Sequence, residues 1–401
     1  MWKPLLTGDE AASARAYVNR IAQRLESIVI DPASAALFWA YYSGLTEQPN
    51  HEALLAQSLE RCLERLGQKP FPMWLHGGSL GAAWAVTHIL DDATQIEELL
   101  GPYDAFLIEH LARPGAMQGD AGTISGLAGG LVYAIERHLA GDAAVAQRVA
   151  TSVEYRLQAS AKRTDQGWHW SVPENQLKIE DLQRFPNGLT FCGPGHGMSG
   201  IVATLAKAQA LGLVSDPTMI EQGERWLAAQ EALSPNLALF PHTVGPGAPP
   251  VLPKMLAWCS GTLATSLQRN YVATSLGLPT AGLISRLRAC AEISPSSITV
   301  SDLSLCHGFI GHTLMFHWAS ATTGEAAFDA AAKQWFQPAQ HAIAAAMANS
   351  PDLAIVVEHE VALHTNFLQG AAGAALGVMA LCGNEAPPWL RMFGLFDDPT
   401  S

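Results

Sequence analysis

The 401-residue chain has little charge and few cysteines: 15% of its residues are Asp, Glu, Lys or Arg, and only six are Cys. The cysteines are too widely spaced for the disulfide framework of a small secreted protein. Basic residues are outnumbered by acidic ones, and the formal net charge of −13 argues against a general nucleic-acid or anionic-membrane surface. The abundant class is apolar, at 49%, which is enough for a large core.

Long uninterrupted apolar runs are also missing. A membrane-spanning helix needs about 18 or more consecutive apolar residues, and no segment supplies them. The first 20 residues contain Asp9, Glu10 and Arg15, where a signal peptide would carry an unbroken apolar stretch. We therefore expect a cytoplasmic protein without a membrane span. In such a reducing compartment, cysteines are more often metal-binding or reactive than bridged.

Strand signals are scarce, and a repeated glycine pattern is prominent instead. In six segments a glycine is followed by two residues, a small residue and an apolar run at helical spacing. The leading glycines of these segments are Gly78, Gly126, Gly197, Gly261, Gly308 and Gly370. Glycine at a helix start lets backbones approach closely and leaves N–H groups to face a ligand. Each of these glycines is therefore predicted to begin an inner helix.

The chain between the glycines has room for outer helices. Amphipathic examples start at Pro217 and Gly324, and a weaker seventh unit starts at Asp31. We therefore predict an all-α fold, an α/α toroid built as a double barrel of about seven helical hairpins whose inner helices begin on one face. Residues 1–401 are expected to form a single domain, with loop excursions around 157–190 and 234–254.

Four side chains that can bind a metal or a proton occupy matching positions in this repeat. Cys259 and Cys306 each lie two residues before a leading glycine. His196 and His307 each lie one residue before a leading glycine. Zinc takes thiolate and imidazole ligands in tetrahedral geometry, and a catalytic zinc keeps one position for water or substrate. Cys259, Cys306 and His307 would leave that position vacant. The alternative, small buried residues required by packing, does not explain the adjacent Cys and His.

The ligand types also bear on the chemistry. A zinc ion could activate water for hydrolysis, or it could bind a substrate thiol and hold it as a thiolate. Two cysteine ligands leave little net positive charge on the metal, so a bound thiolate remains nucleophilic. The ligand set therefore favours thiol chemistry over amide hydrolysis.

The combination of WCSG, CHGFIG, GHGMSG and FLQGAAG resembles the lanthionine synthetase C-like family, the cyclases of lanthipeptide biosynthesis, over nearly the whole chain. The resemblance implies an α/α toroid and a Zn²⁺ cofactor held by Cys259, Cys306 and His307. It also implies addition of peptide cysteine thiols to dehydroalanine or dehydrobutyrine residues. The implied partner is a dehydrated precursor peptide, and a dehydratase in the same biosynthetic complex is left open.

The resemblance further implies two acid/base residues. His196 matches the family's histidine in the GHG unit, and an imidazole with a near-neutral pKa suits protonation of the enolate that a Michael addition produces. The family's aspartate usually lies four residues before a leading glycine, where this chain has Gly122. Asp120, six residues before Gly126, is the nearest carboxylate. It is either the catalytic aspartate or a solvated turn residue.

Two other function classes stay open. A zinc-containing scaffold that binds a partner enzyme or a leader peptide, without catalysing cyclisation, is compatible with the displaced aspartate. A sugar epimerase or glycosidase on the same fold would need paired carboxylates or a His pair, for which the candidates are Glu358, His359, Glu360 and His364. The sugar interpretation leaves the two cysteines and His307 unexplained, and metal content would distinguish it from the other two.

Overall fold

The computed structural model describes residues 1–28, 30–45, 49–68, 72–113, 121–172, 174–254, 256–300, 302–349, 355–357, 360–362 and 365–396. Tertiary contacts separate the chain into two compact units. Unit 1 comprises Met1–Cys62, Lys254–Trp258 and Arg288–Leu390. Unit 2 comprises Leu63–Pro253, Cys259–Leu287 and Arg391–Ser401. The sequence-based expectation of a single domain stays a prediction.

Helices dominate the described residues. In chain order they are α1 (Gly8–Leu25), α2 (Pro32–Ser43), α3 (Pro49–Gly67), α4 (Ser79–Ile89), α5 (Ala93–Ala112), α6 (Leu127–Leu139), α7 (Ala143–Ser160), α8 (Ile179–Arg184), α9 (Met198–Ala210), α10 (Thr218–Gln230), α11 (Thr262–Ser275), α12 (Ala281–Ala291), α13 (Phe309–Thr323), α14 (Ala326–Asn349) and α15 (Ala371–Cys382). The strands are short: β1 (Lys162–Thr164), β2 (Gly167–His169), β3 (Thr190–Phe191), β4 (Thr243–Gly245), β5 (Ala248–Val251), β6 (Ile355–Val357) and β7 (Glu360–Ala362). The predicted all-α class is confirmed.

Each predicted inner helix begins directly after its leading glycine, which is the N-cap residue of α4, α6, α9, α11, α13 and α15. The small residue three positions later lies where the helix passes a carbonyl group of the preceding turn. A Cβ atom on Gly200 would collide with the carbonyl oxygen of Pro194, and one on Gly311 with that of Leu305. Close backbone approach therefore explains the glycine at these two positions.

The inner helices are buried along most of their length, whereas the helices that follow them are amphipathic, as expected for helices with one solvent-facing side. In unit 2, α6 packs on α7 and α9 packs on α10. In unit 1, α13 packs on α14, and α15 packs on α1, α2 and α13. The outer helices predicted from Pro217 and Gly324 are α10 and α14, and the weaker unit from Asp31 is α2.

The segments predicted as loop excursions carry most of the strands of unit 2. β1 and β2 form an antiparallel hairpin, and β2 packs on α10. β3, β4 and β5 form an antiparallel sheet in which Thr190 pairs with Val244 and Thr243 pairs with Val251. This sheet leads directly into the turn before α9. Across the ranges that the structure covers, no helix is both long and apolar enough to cross a membrane.

Candidate functional site

The turns that precede the inner helices of unit 2 are joined by backbone hydrogen bonds. Leu75 and His76 donate their N–H groups to the carbonyl oxygen of Ile124 at 3.0 and 3.2 Å. Ile124 donates in turn to the carbonyl oxygen of Gly195 at 3.0 Å, and Gly195 donates to that of Cys259 at 3.1 Å. The starts of α4, α6, α9 and α11 are therefore held side by side.

His196 lies in the turn before α9, and its side chain is exposed. The turn is closed by a hydrogen bond from the N–H of Ser199 to the carbonyl oxygen of Cys192 at 3.0 Å. Gly195, which directly precedes His196, lies close to Cys259. A Cβ atom added to Gly195 would be 3.2 Å from the Cβ of Cys259. The main chain thus fixes His196 beside the turn of Cys259 and leaves its imidazole accessible to a substrate.

The ring of Phe191, in β3, contacts two imidazoles, with ring centroids 6.1 Å from His196 and 5.4 Å from His242. His242 is half-buried, and its Nδ1 lies 2.7 Å from the Oγ1 of Thr243. Burial lowers the pKa of His242, and nearby His196 lowers it further, against a smaller raising effect of Asp181. The lowered pKa favours the neutral form of His242, and of the two imidazoles only that of His196 is exposed.

The candidate ligand in unit 2 is Cys259, which directly precedes the N-terminal region of α11. Its side chain is half-buried, and its Sγ lies 3.6 Å from the Oγ of Ser260. Its carbonyl oxygen accepts the hydrogen bond from Gly195 described above. Cys259 and His196 therefore lie on neighbouring turns of one unit.

The other two candidate ligands lie in the turn before α13, in unit 1. Cys306 is buried, and its N–H donates to the carbonyl oxygen of Leu368 at 2.9 Å. The carbonyl oxygen of Cys306 accepts the N–H of Trp258 at 2.7 Å. His307 follows with a partly exposed imidazole. The structure thus places the adjacent Cys and His on a turn whose backbone is anchored on two sides.

The imidazole of His307 faces a buried carboxylate. Its Nδ1 lies 3.0 Å from the Oδ2 of Asp302 and 3.3 Å from the Oγ of Ser304. The Oδ1 of Asp302 accepts the N–H of Ser304 at 2.7 Å. Burial raises the pKa of Asp302, but hydrogen bonds from His307 and Ser304 outweigh burial and leave that pKa below its usual value. Asp302 is therefore an ionised acceptor at neutral pH.

Asp302 is a residue that the sequence-based reasoning missed. The available signal was Asp302 followed two positions later by Ser304, a spacing typical of an Asx turn. That signal predicts a turn, but it does not reveal that the second carboxylate oxygen faces His307.

The donor set of two thiols and one imidazole suits zinc, and the bond between Asp302 and the Nδ1 of His307 leaves Nε2 as the nitrogen for a metal. Within the described ranges, however, no three His, Cys, Asp or Glu side chains are assembled as a group that could hold a metal ion. Asp120 lies outside the described residues, as do Glu358, His359 and His364. The zinc ligands and Asp120 therefore remain predictions.

A family profile described as lanthionine synthetase C-like protein matches residues 33–393. Among solved structures, the chain is similar to nisin cyclase, with a TM-score of 0.71 and 17% sequence identity. That alignment covers 96% of this chain and 97% of the nisin cyclase chain. The likeness shows the fold, and it confirms the fold class predicted from the sequence. Comparison with curated proteins finds no match.

Proposed function

This chain belongs to the lanthionine synthetase C-like family, as its motifs predicted, and we propose that it is a zinc-dependent lanthipeptide cyclase. It adds cysteine thiols of a precursor peptide to dehydroalanine or dehydrobutyrine residues and so forms lanthionine or methyllanthionine rings. The observation that carries the proposal is the position of His196. Its exposed imidazole stands on a turn whose backbone is bonded to that of Cys259 at 3.1 Å, beside a proposed metal ligand.

The proposed zinc ligands are Cys259, Cys306 and His307. A bound zinc would supply one kind of chemistry here, which is to keep a substrate thiol deprotonated at neutral pH. The protein's contribution is to hold the donors. Support comes from the two backbone bonds that fix Cys306 and from the carboxylate of Asp302 at 3.0 Å from the Nδ1 of His307.

His196 is the proposed proton donor. In the addition, a bond forms between the thiolate sulfur and the β-carbon of the dehydro residue, and the electron pair of the C=C bond moves toward the α-carbon as an enolate. A proton delivered to the α-carbon completes the thioether. The overall reaction neither gains nor loses atoms, since the thiol loses one proton and the α-carbon takes up one. The exposed imidazole of His196 is accessible for this transfer, and histidine is the side chain that most often serves as a general acid or base.

Asp120 is the proposed carboxylate partner of His196, and its support is the resemblance to the family. A carboxylate at that place would orient the imidazole and stabilise its protonated form. The proposed substrate is a dehydrated precursor peptide in the cytoplasm. The reaction that supplies it removes water from serine or threonine residues, so a dehydratase is the proposed partner in the biosynthetic complex.

Thiol alkylation followed by mass spectrometry tests this function. Ring formation leaves the mass of the dehydrated precursor unchanged but removes a thiol, so a cyclase lowers the number of alkyl adducts on the peptide. A scaffold would bind the peptide and leave the adduct number at the value found without protein. Zinc-free protein that turns over a sugar would instead support the epimerase or glycosidase alternative.

A further inference from the structure

We propose that Asp302 is a positioning residue of the metal site. Its carboxylate holds His307 in the tautomer and orientation in which Nε2 can bind the ion. The inference rests on the proposed function, but it concerns a residue outside the proposed ligand set. Asp302 precedes His307 by five positions, in the turn that leads into α13.

Both carboxylate oxygens of Asp302 are engaged. Oδ2 lies 3.0 Å from the Nδ1 of His307, and Oδ1 accepts the N–H of Ser304 at 2.7 Å. The main chain of Asp302 is fixed as well, because its carbonyl oxygen accepts the N–H of Phe309, the first residue of α13, at 2.9 Å. The carboxylate is therefore anchored to the turn and to the helix start at once.

The difference in exposure within this pair indicates which residue can face an ion. The side chain of Asp302 is 5% exposed, whereas that of His307 is 21% exposed. The carboxylate is thus enclosed by protein, and the imidazole beside it remains partly accessible. A second contact supports the same orientation, since the Oγ of Ser304 lies 3.3 Å from the same Nδ1.

The chemistry of imidazole connects this geometry to metal binding. A neutral imidazole has one N–H and one lone pair, and an ionised carboxylate can only accept. A carboxylate beside Nδ1 therefore keeps the proton on Nδ1 and the lone pair on Nε2. Histidines that bind metals generally donate the other ring N–H in this way, and loss of the partner typically weakens metal affinity about 10–100-fold.

The main variant is Asp302→Asn, measured in the full chain by zinc competition against a chromophoric chelator. The amide oxygen can still accept the N–H of Ser304, but the amide NH₂ then faces His307 and favours the tautomer with the proton on Nε2. We expect zinc affinity to fall about 10–100-fold while the melting temperature of the metal-free protein stays near that of the wild type. Ser304→Ala is the matched control, because it removes the hydroxyl from the same nitrogen and keeps the carboxylate; its affinity should change little.

A second measurement avoids any variant at Asp302. Long-range ¹⁵N–¹H correlation spectra of the metal-free wild-type chain above pH 8 report the His307 tautomer, with the signal assigned by its loss in His307→Gln. We expect the proton on Nδ1. A proton on Nε2, or wild-type zinc affinity in a folded Asp302→Asn variant, would overturn the inference. If the wild type itself binds no zinc, the proposed function fails, whichever tautomer is found.

Discussion

The backbone N–H of Trp258 donates to the carbonyl oxygen of Cys306 at 2.7 Å, so the place of Cys306 in the fold depends on main-chain atoms. The N–H of Cys306 donates to Leu368 in the same way, at 2.9 Å. Alanine can make both bonds equally well. The thiol of Cys306 can therefore be removed with little expected change to the turn, which makes it a direct test of metal binding.

We predict that protein purified without chelator holds about one zinc per chain and that Cys306→Ala loses most of it, because a site reduced from three protein ligands to two loses much of its affinity. Zinc content is measured by elemental analysis on folded protein. Cys290→Ala is the control, since Cys290 is also a buried cysteine of unit 1 but lies outside the proposed ligand set. Full zinc retention in Cys306→Ala would show that the ligand assignment is wrong.

The second prediction concerns His196. His196→Asn should keep the fold and the zinc, because the turn is closed by backbone bonds and the imidazole is exposed. Ring formation should slow about 100-fold or more, the usual contribution of a positioned general acid. Rates are compared with His110→Asn, a change on α5 that should leave cyclisation unaffected. A wild-type rate in His196→Asn would assign this residue a structural role.

The third prediction concerns Asp120. If Asp120 orients His196, Asp120→Asn should depress cyclisation while zinc content and melting temperature stay near wild type. If it only caps a turn, the same change should cost at most about 1 kcal/mol of stability, since Asn caps nearly as well as Asp. Activity and melting temperature measured on one preparation separate these cases. Undiminished cyclisation would show that ring formation does not depend on Asp120.

The fourth prediction concerns pH. His312, on α13, is buried against Trp335 with ring centroids 4.4 Å apart, and burial lowers its pKa from 6.5 to about 4. The unfolded chain therefore binds more protons than the folded chain between these values. The stabilising contribution of neutral His312 is complete above about pH 6.5 and is lost as the pH falls toward 4.

The melting temperature should accordingly drop between about pH 7 and pH 5, and the drop should be smaller in His312→Phe, which keeps an aromatic ring on Trp335 but cannot take up a proton. His341→Gln, an exposed change on α14, serves as the control and should retain the wild-type drop. An identical drop in His312→Phe and the wild type would mean that His312 does not contribute to the pH dependence.

The helix starts could be predicted from the sequence because their cause is local. Gly308 is followed at once by α13, and Gly311 is required by the carbonyl of Leu305, six residues earlier, so the whole requirement lies within one short segment. The spacing of glycine and apolar residues therefore predicts directly where the backbone approaches closely and a helix begins. The same local pattern placed Cys306 and His307 at the start of an inner helix.

The contact between Phe191 and His242 could not be predicted in this way. These residues are brought together by the pairing of β3 with β4, and β3 has only two residues, too few to show an alternating pattern. The role of Asp302 was hidden for a different reason. An Asp two residues before a Ser predicts a turn, but the direction of the second carboxylate oxygen depends on the three-dimensional position of His307.

The activity proposed for this protein is the formation of thioether rings with the help of zinc. The most direct measurement counts alkylated thiols on a dehydrated precursor peptide after incubation with the protein as purified, with chelator-stripped protein, and with stripped protein given zinc again. We expect a lower adduct count with the purified and the zinc-restored protein, and no decrease with the stripped protein. Equal adduct counts in all three samples and in the protein-free control would contradict it.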